Sequence, residues 1–188
     1  MKEFHIEDNK PVDLKRLQTE RMSQDQFITA HKSLILVCHD CFIEYKGGIL
    51  LVTRNNLPAK DILWPIGGRA IRGLTIEKSL ENKVKEECNL DITKVQFLGC
   101  SRTTFQTDPF GHGKGTDSFN IVYFAHGTGE LRLDKLHKSP ALIVPNKTPQ
   151  LLEKNHGCSI LVYTQELKNK LHPYVQEYLD KAITHLKS

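Results

Sequence analysis

The stretch GGRAIRGLTIEKSLENKVKEECNL, residues 67–90, joins paired glycines and an arginine to a segment that closes on two adjacent glutamates. Glycines let a backbone pass close to a ligand or another strand, and an arginine directly after them offers a planar, bidentate grip on phosphate. Arg69 is therefore a candidate phosphate contact, against the plainer reading of a surface arginine. Glu86 and Glu87 fall near the C-terminal end of a helix, where negative charge opposes the helix dipole. That misplacement points to a cation or a basic partner nearby; the plainer reading is a solvated helix end. Adjacent helical residues are turned about 100° apart, so only one of the two carboxylates faces a site directly.

Three further residues have suitable chemistry. Arg54 ends an apolar run where the chain enters the irregular stretch NNLPAKDILWPIGG, a common setting for binding residues. Asp40 shares a strand face with Cys38, Phe42 and Glu44, and an aspartate buried there needs an arginine or a hydroxyl as partner. His137, in DKLHKS, has the right side chain for a general base, and so has His112 in a glycine-rich loop; a solvated loop histidine is the plainer reading of His137. Cys38 and Cys41 do not read as a zinc pair. Their odd offset in a strand sends the thiols to opposite faces, and no second pair stands at ligand spacing.

The elements that must position these residues follow from hydrophobic period. Residues 13–31 are polar and helix-prone, giving one or two short helices. SLILVCHDCFIEYKGGILLVTR reads as a hairpin turning at Lys46-Gly47-Gly48. Ile76, Leu80 and Val84 recur every four residues and draw one buried stripe along a helix ending near Asn89, a plausible left-handed cap. KVQFLGCSRTTF and SFNIVYFAH are strand-like runs on either side of QTDPFGHGKGTD, a candidate lid or substrate loop. ELRLDKLHKSPALIV stays open between strand and loop, and in the tail Val175, Tyr178, Leu179, Ile183 and Leu186 share a helical face. The sum is a mixed α/β (α+β) fold, a sheet sandwiched between helices. We expect one domain over 1–188, with an N-terminal helical segment over 1–31 and a C-terminal helical extension over 146–188 that either caps the sheet or makes a homodimer contact.

Composition narrows the class. With 188 residues, 39% hydrophobic and 26% charged, the chain is long enough to bury one substantial core and too apolar to stay disordered. No apolar run approaches the roughly 18 residues of a spanning helix, and the start lacks the order of a secretory signal. Five scattered cysteines, an odd number, suit reduced thiols, so the expected compartment is the cytoplasm. The net charge of +4 is spread along the chain and indicates neither a nucleic-acid nor a membrane partner, while a phosphate-bearing small molecule fits.

The order of hairpin, Gly-Gly loop, helix with terminal Glu-Glu and strand resembles the Nudix hydrolases. Their box, G-x5-E-x7-R-E-U-x-E-E-x-G-U with U aliphatic, would start at Gly68 and place its last acidic pair on Glu86 and Glu87. Leu74 stands at the first glutamate, Asn82 and Lys83 at Arg-Glu, and Asn89 at the last glycine, while Val84 and Leu90 keep the aliphatic places. The reduced box, together with SQDQFITAHKSLILVCHD, LLVTRNNLPA and GTDSFNIVYF, is similar to the GDP-mannose mannosyl hydrolase branch over about residues 22–138. The resemblance implies a Nudix fold and Mg²⁺-dependent hydrolysis, with Mn²⁺ as a substitute ion, of a small-molecule nucleotide sugar to nucleoside diphosphate and sugar. It places Glu87, Glu86 and the carbonyl of Gly67 at the metal, and Arg54 and Arg69 on the diphosphate. Asp40 falls at the sugar and His137 at the general base; Arg69, His137 and Asp40 form the catalytic set. Leu136 replaces a metal-binding glutamine, and Lys83 lies one turn before Glu87 on the same helix face. Two other readings stay open: a nucleotide-sugar binding module without catalysis, and a conventional Nudix pyrophosphohydrolase.

Overall fold

The computed structural model describes residues 2–4, 6–7, 10–145 and 157–186. A short antiparallel bridge between β1 (Ile6–Glu7) and β2 (Lys10–Pro11) precedes a 3-10 turn (Leu14–Leu17) and helix α1 (Gln24–Ser33). Ser23 and Gln26 form a reciprocal capping box that fixes where α1 begins. Strands β3 (Leu36–Tyr45) and β4 (Gly48–Arg54) then form the expected hairpin. Lys46 and Gly47 at its tip both take positive φ, 51° and 88°, the twist a two-residue hairpin turn requires.

After β5 (Leu63–Trp64) and β6 (Ile66–Arg69) comes α2 (Ile76–Cys88), then the long antiparallel pair β7 (Asp91–Phe105) and β8 (Thr116–Thr128). Strands β9 (His137–Pro145) and β10 (Ser159–Tyr163) and helices α3 (Gln165–Lys170) and α4 (Pro173–His185) complete the chain. The main sheet runs in the order β10-β9-β4-β3-β8-β7, with β5 attached to β4 and β6 to β3. The β3–β8 and β9–β10 pairs are parallel and the rest antiparallel, so the sheet is mixed.

Alternation along the central strands sends side chains to two separate cores. Cys41, Ile43, Leu50, Val52, Ile121 and Tyr123 meet Leu80, Val84 and Cys88 of α2 on one face. Phe42, Ile49, Leu51, Val122, Phe124 and Ile143 meet Val175, Tyr178, Leu179 and Ala182 of α4 on the other. The tail helix thus caps the sheet. Thr75 accepts the Lys78 N–H at the start of α2, and Asn89 ends it with φ 60°, the left-handed cap read from the sequence.

The segment left open between strand and loop is strand from His137 onward and lies between β4 and β10. Ala141, Leu142, Ile143 and Val144 are buried on both faces, so the run carries no alternation to mark it. The C-terminal extension is not wholly helical, because Ser159–Tyr163 add a parallel edge strand to β9. Its residues 146–156 lie outside those described.

Leu80 is fully buried between α2 and the sheet. Leu80→Ala should lower the free energy of urea unfolding by about 2–5 kcal/mol, the range for emptying such a site. Glu81→Ala, which removes only an exposed 2.8 Å pair with Lys78, should shift it by less than about 0.5 kcal/mol.

Candidate functional site

The site is built on the place where β6 crosses β3. Gly67 pairs with Asp40 and Gly68 with His39. A Cβ on Gly67 would lie 2.3 Å from the His39 carbonyl oxygen and 2.4 Å from Asp40 Oδ1, so only glycine fits. The Gly67 N–H donates to Glu87 Oε2 at 3.2 Å and ties the end of α2 to this floor. At Gly68 a Cβ would sit 3.6 Å from Glu87 Oε1 and from Cδ and Cε of Lys83, which puts that lysine stem against the floor on the same side as Glu87.

Above the floor opens a cleft of about 190 Å³ whose lining includes Asp40, Arg54, Gly67, Gly68, Arg69 and Asn120. Arg54, at the end of β4, donates through Nη2 to Asn56 Oδ1 at 3.2 Å, while its Nε is buried without a hydrogen-bond partner among the described residues. Burial pulls the Arg54 pKa down, and the carboxyls of Asp40 and Glu87 push it back up. Arg69 is exposed, with its guanidinium 4.1 Å from the centre of the Phe27 ring. Phe27 meets Phe110 edge to face at 5.5 Å, so α1 and the glycine-rich loop form one wall of the cleft.

That loop is internally fixed. Asp108 accepts the N–H groups of Phe110, His112 and Gly113, and His112 Nε2 lies 2.8 Å from His31 Nδ1 of α1. His112 therefore holds the loop against α1.

Asp40 and His137 both have partners that the sequence reading did not name. Tyr174 of α4 donates its hydroxyl to Asp40 Oδ2 at 2.5 Å and stacks on Trp64 with ring centres 5.1 Å apart. Burial raises the Asp40 carboxyl from 3.8 to about 6, against the opposing pull of the Tyr174 hydroxyl and of Arg54. His137 pairs across the sheet with Arg54 and is buried, its Nδ1 2.7 Å from Asp134 Oδ1 and its Nε2 3.9 Å from Glu87 Oε2. A carboxylate only accepts, so the pair places the imidazole proton on Nδ1 and leaves the Nε2 lone pair free. Burial lowers the His137 pKa, and Asp134 opposes this. Asp134 stands three residues before His137, a spacing that could have exposed it in the sequence. Tyr174 stands 134 residues from Asp40, and no local pattern connects them.

The structure thus gathers Asp40, Arg54, Gly67 and Arg69 around one cleft, with Glu87 beneath its floor and His137 beside Glu87. Glu86 stands apart, largely exposed, with its carboxylate 2.7 Å from Lys83 Nζ. Burial pushes the Glu87 carboxyl up to about 8, while Lys83, the Gly67 amide and Arg54 pull it down.

These residues do not fit the Mg²⁺ or Mn²⁺ centre that the resemblance implies. Such hard cations want a shell of oxygens. No group of three His, Cys, Asp or Glu side chains among the described residues is arranged to hold an ion. Gly67 meets Glu87 through its N–H, and Leu136 has no donor and is exposed. Lys83 Nζ lies 2.7 Å from Glu86 and 3.9 Å from Glu87. Unit charges at about 4 Å interact by roughly 4 kcal/mol in a partly buried setting, and a dication doubles the repulsion.

No family model matches the chain. Over 162 residues it is 28% identical to the low-salt glycan biosynthesis protein Agl8 of Haloferax volcanii, covering 86% of this chain and 91% of that protein. Its fold is similar to that of the MutT protein from Methanosarcina mazei Go1 (TM-score 0.53, 16% identity, 82% of this chain and 96% of that one). It is also similar to a bifunctional NMN adenylyltransferase/ADP ribose pyrophosphatase from Francisella tularensis, solved with AMP and a manganese ion (TM-score 0.53, 14% identity, 87% of this chain and 45% of that one). The mixed sheet between helices is the Nudix fold. Among the described residues no helix is long and apolar enough to cross a membrane.

With Asp40 near 6 in the folded protein and 3.8 as its ordinary value, the native state keeps a proton that the unfolded chain has already released. Its contribution to stability is therefore lost as pH rises from about 4 to about 6. Denaturant unfolding across that window should show Asp40→Asn losing on the order of 2 kcal/mol less stability than the unmodified chain.

Proposed function

We propose that the chain hydrolyses a nucleoside-diphosphate sugar to nucleoside diphosphate and free sugar. The observation that carries this is the pairing of two guanidinium groups on one cleft with an oriented imidazole, His137, opposite Arg54 on the neighbouring strand. Arg54 keeps donors free for an anion, and Arg69, stacked on Phe27, offers a second planar fork. Together they suit the two phosphoryl groups of a diphosphate and the negative charge that grows on it as it leaves. A relative whose name assigns it to glycan biosynthesis is in keeping with a nucleotide-sugar substrate.

In this reading His137 Nε2 takes a proton from water, and Asp134 holds the ring in the required tautomer and stabilises the imidazolium that forms. The water oxygen bonds to the anomeric carbon as the carbon–oxygen bond to the β-phosphate breaks. The diphosphate departs with the bonding pair and its charge is met by Arg54 and Arg69. Asp40, held by Tyr174, orients a sugar hydroxyl.

Lys83 in place of a box carboxylate favours a second reading, a nucleotide-sugar binding module without turnover.

Incubation with GDP-, UDP- and ADP-hexoses, followed by chromatography of the products, separates the readings. Nucleoside diphosphate plus free sugar is expected. Nucleoside monophosphate plus sugar phosphate contradicts the proposal, and calorimetric binding without products favours the module. His137→Gln should lower kcat by about 10²–10⁴-fold, the usual contribution of a general base, with KM little changed.

A further inference from the structure

We propose that Lys83 is the resident cation of this site, its ammonium standing where a divalent ion would otherwise neutralise the diphosphate. The inference rests on the nucleoside-diphosphate reading and extends it to the source of positive charge.

Three observations carry it. The Lys83 side chain is only 19% exposed, although lysine heads normally reach for water. Its stem lies across Gly68, and Gly68 lines the cleft. The three N–H donors of Lys83 are also not all engaged by the neighbouring carboxylates. Glu86 takes one at 2.7 Å, whereas Glu87 at 3.9 Å is beyond hydrogen-bond range. Arg54 and Arg69 line the cleft, and Lys83 reaches its edge only through the stem against Gly68; in this assignment the ammonium turns from Glu86 to the bound diphosphate and adds a third fixed positive charge without any ion from solution.

The test uses the full chain and three nucleoside diphosphates, GDP, UDP and ADP, titrated by calorimetry in EDTA and in Mg²⁺. At least one should bind with the same affinity, within about twofold, in both conditions. Lys83→Met keeps the apolar stem and should weaken that binding about tenfold, close to one charge-assisted contact. Lys83→Glu should acquire a Mn²⁺ site visible by electron paramagnetic resonance without nucleotide, where the unmodified chain shows none. Binding that appears only with Mg²⁺ overturns the assignment but leaves the nucleoside-diphosphate reading standing. A Mn²⁺ signal from the unmodified chain, or unchanged affinity in Lys83→Met, overturns it equally. Binding of none of the three nucleotides in either condition defeats the underlying reading and this inference with it.

Discussion

The approach of β6 to β3 at Gly67 is the constraint from which the rest of the site follows. With no room for a Cβ, the strand passes against His39 and Asp40, and its amide is left to meet Glu87 from α2. That contact joins the packing of Val84 and Cys88 in fixing how the end of α2 sits on the sheet. It also sets where Lys83, one turn earlier, lays its stem. On the opposite face the same crossing buries Asp40 beneath Tyr174 and Trp64. One steric requirement thus couples both helical layers to one floor.

Charge is then distributed around that floor in compensated pairs. Asp40 is buried yet has a tyrosine hydroxyl and a nearby arginine, His137 has Asp134, and Glu87 has an amide and an ammonium. The Nε of Arg54, which lines the cleft, is buried without a hydrogen-bond partner among the described residues, as are His39 Nδ1 and the Tyr123 hydroxyl. Buried polar groups normally find partners, and those that do not are concentrated where a ligand completes them. Of the three, Arg54 is the one whose side chain is cationic and lines the cleft, which suits the proposed diphosphate.

Much of the scaffold was legible because local signals agreed with the final packing. The Lys46-Gly47 turn, the stripe of Ile76, Leu80 and Val84 and the cap at Asn89 each carry their reason within a few residues. The opposite faces of Cys38 and Cys41 followed from strand parity, and the structure has Cys38 lining the cleft and Cys41 in the core under α2. Strands β9 and β10 were harder to read. Burial on both sides of β9 erases its alternation, and β10 gains its identity only from pairing with β9. The same distinction holds in the site. Arg54, Arg69, Asp40 and Glu87 could be singled out by position, whereas the Tyr174 contact and the path of Lys83 across Gly68 arise only when distant elements pack.

Arg54 and Arg69 line one cleft with Gly67 and Gly68, and the proposed function places a diphosphate between the two guanidinium groups. A crystal structure of the chain with a bound nucleoside diphosphate, grown in EDTA, addresses this directly. The β-phosphate is expected within hydrogen-bond distance of both guanidinium groups and of Lys83 Nζ, with His137 Nε2 facing the position of the departing sugar. Phosphates lodged outside this cleft, or held by neither arginine, would contradict it.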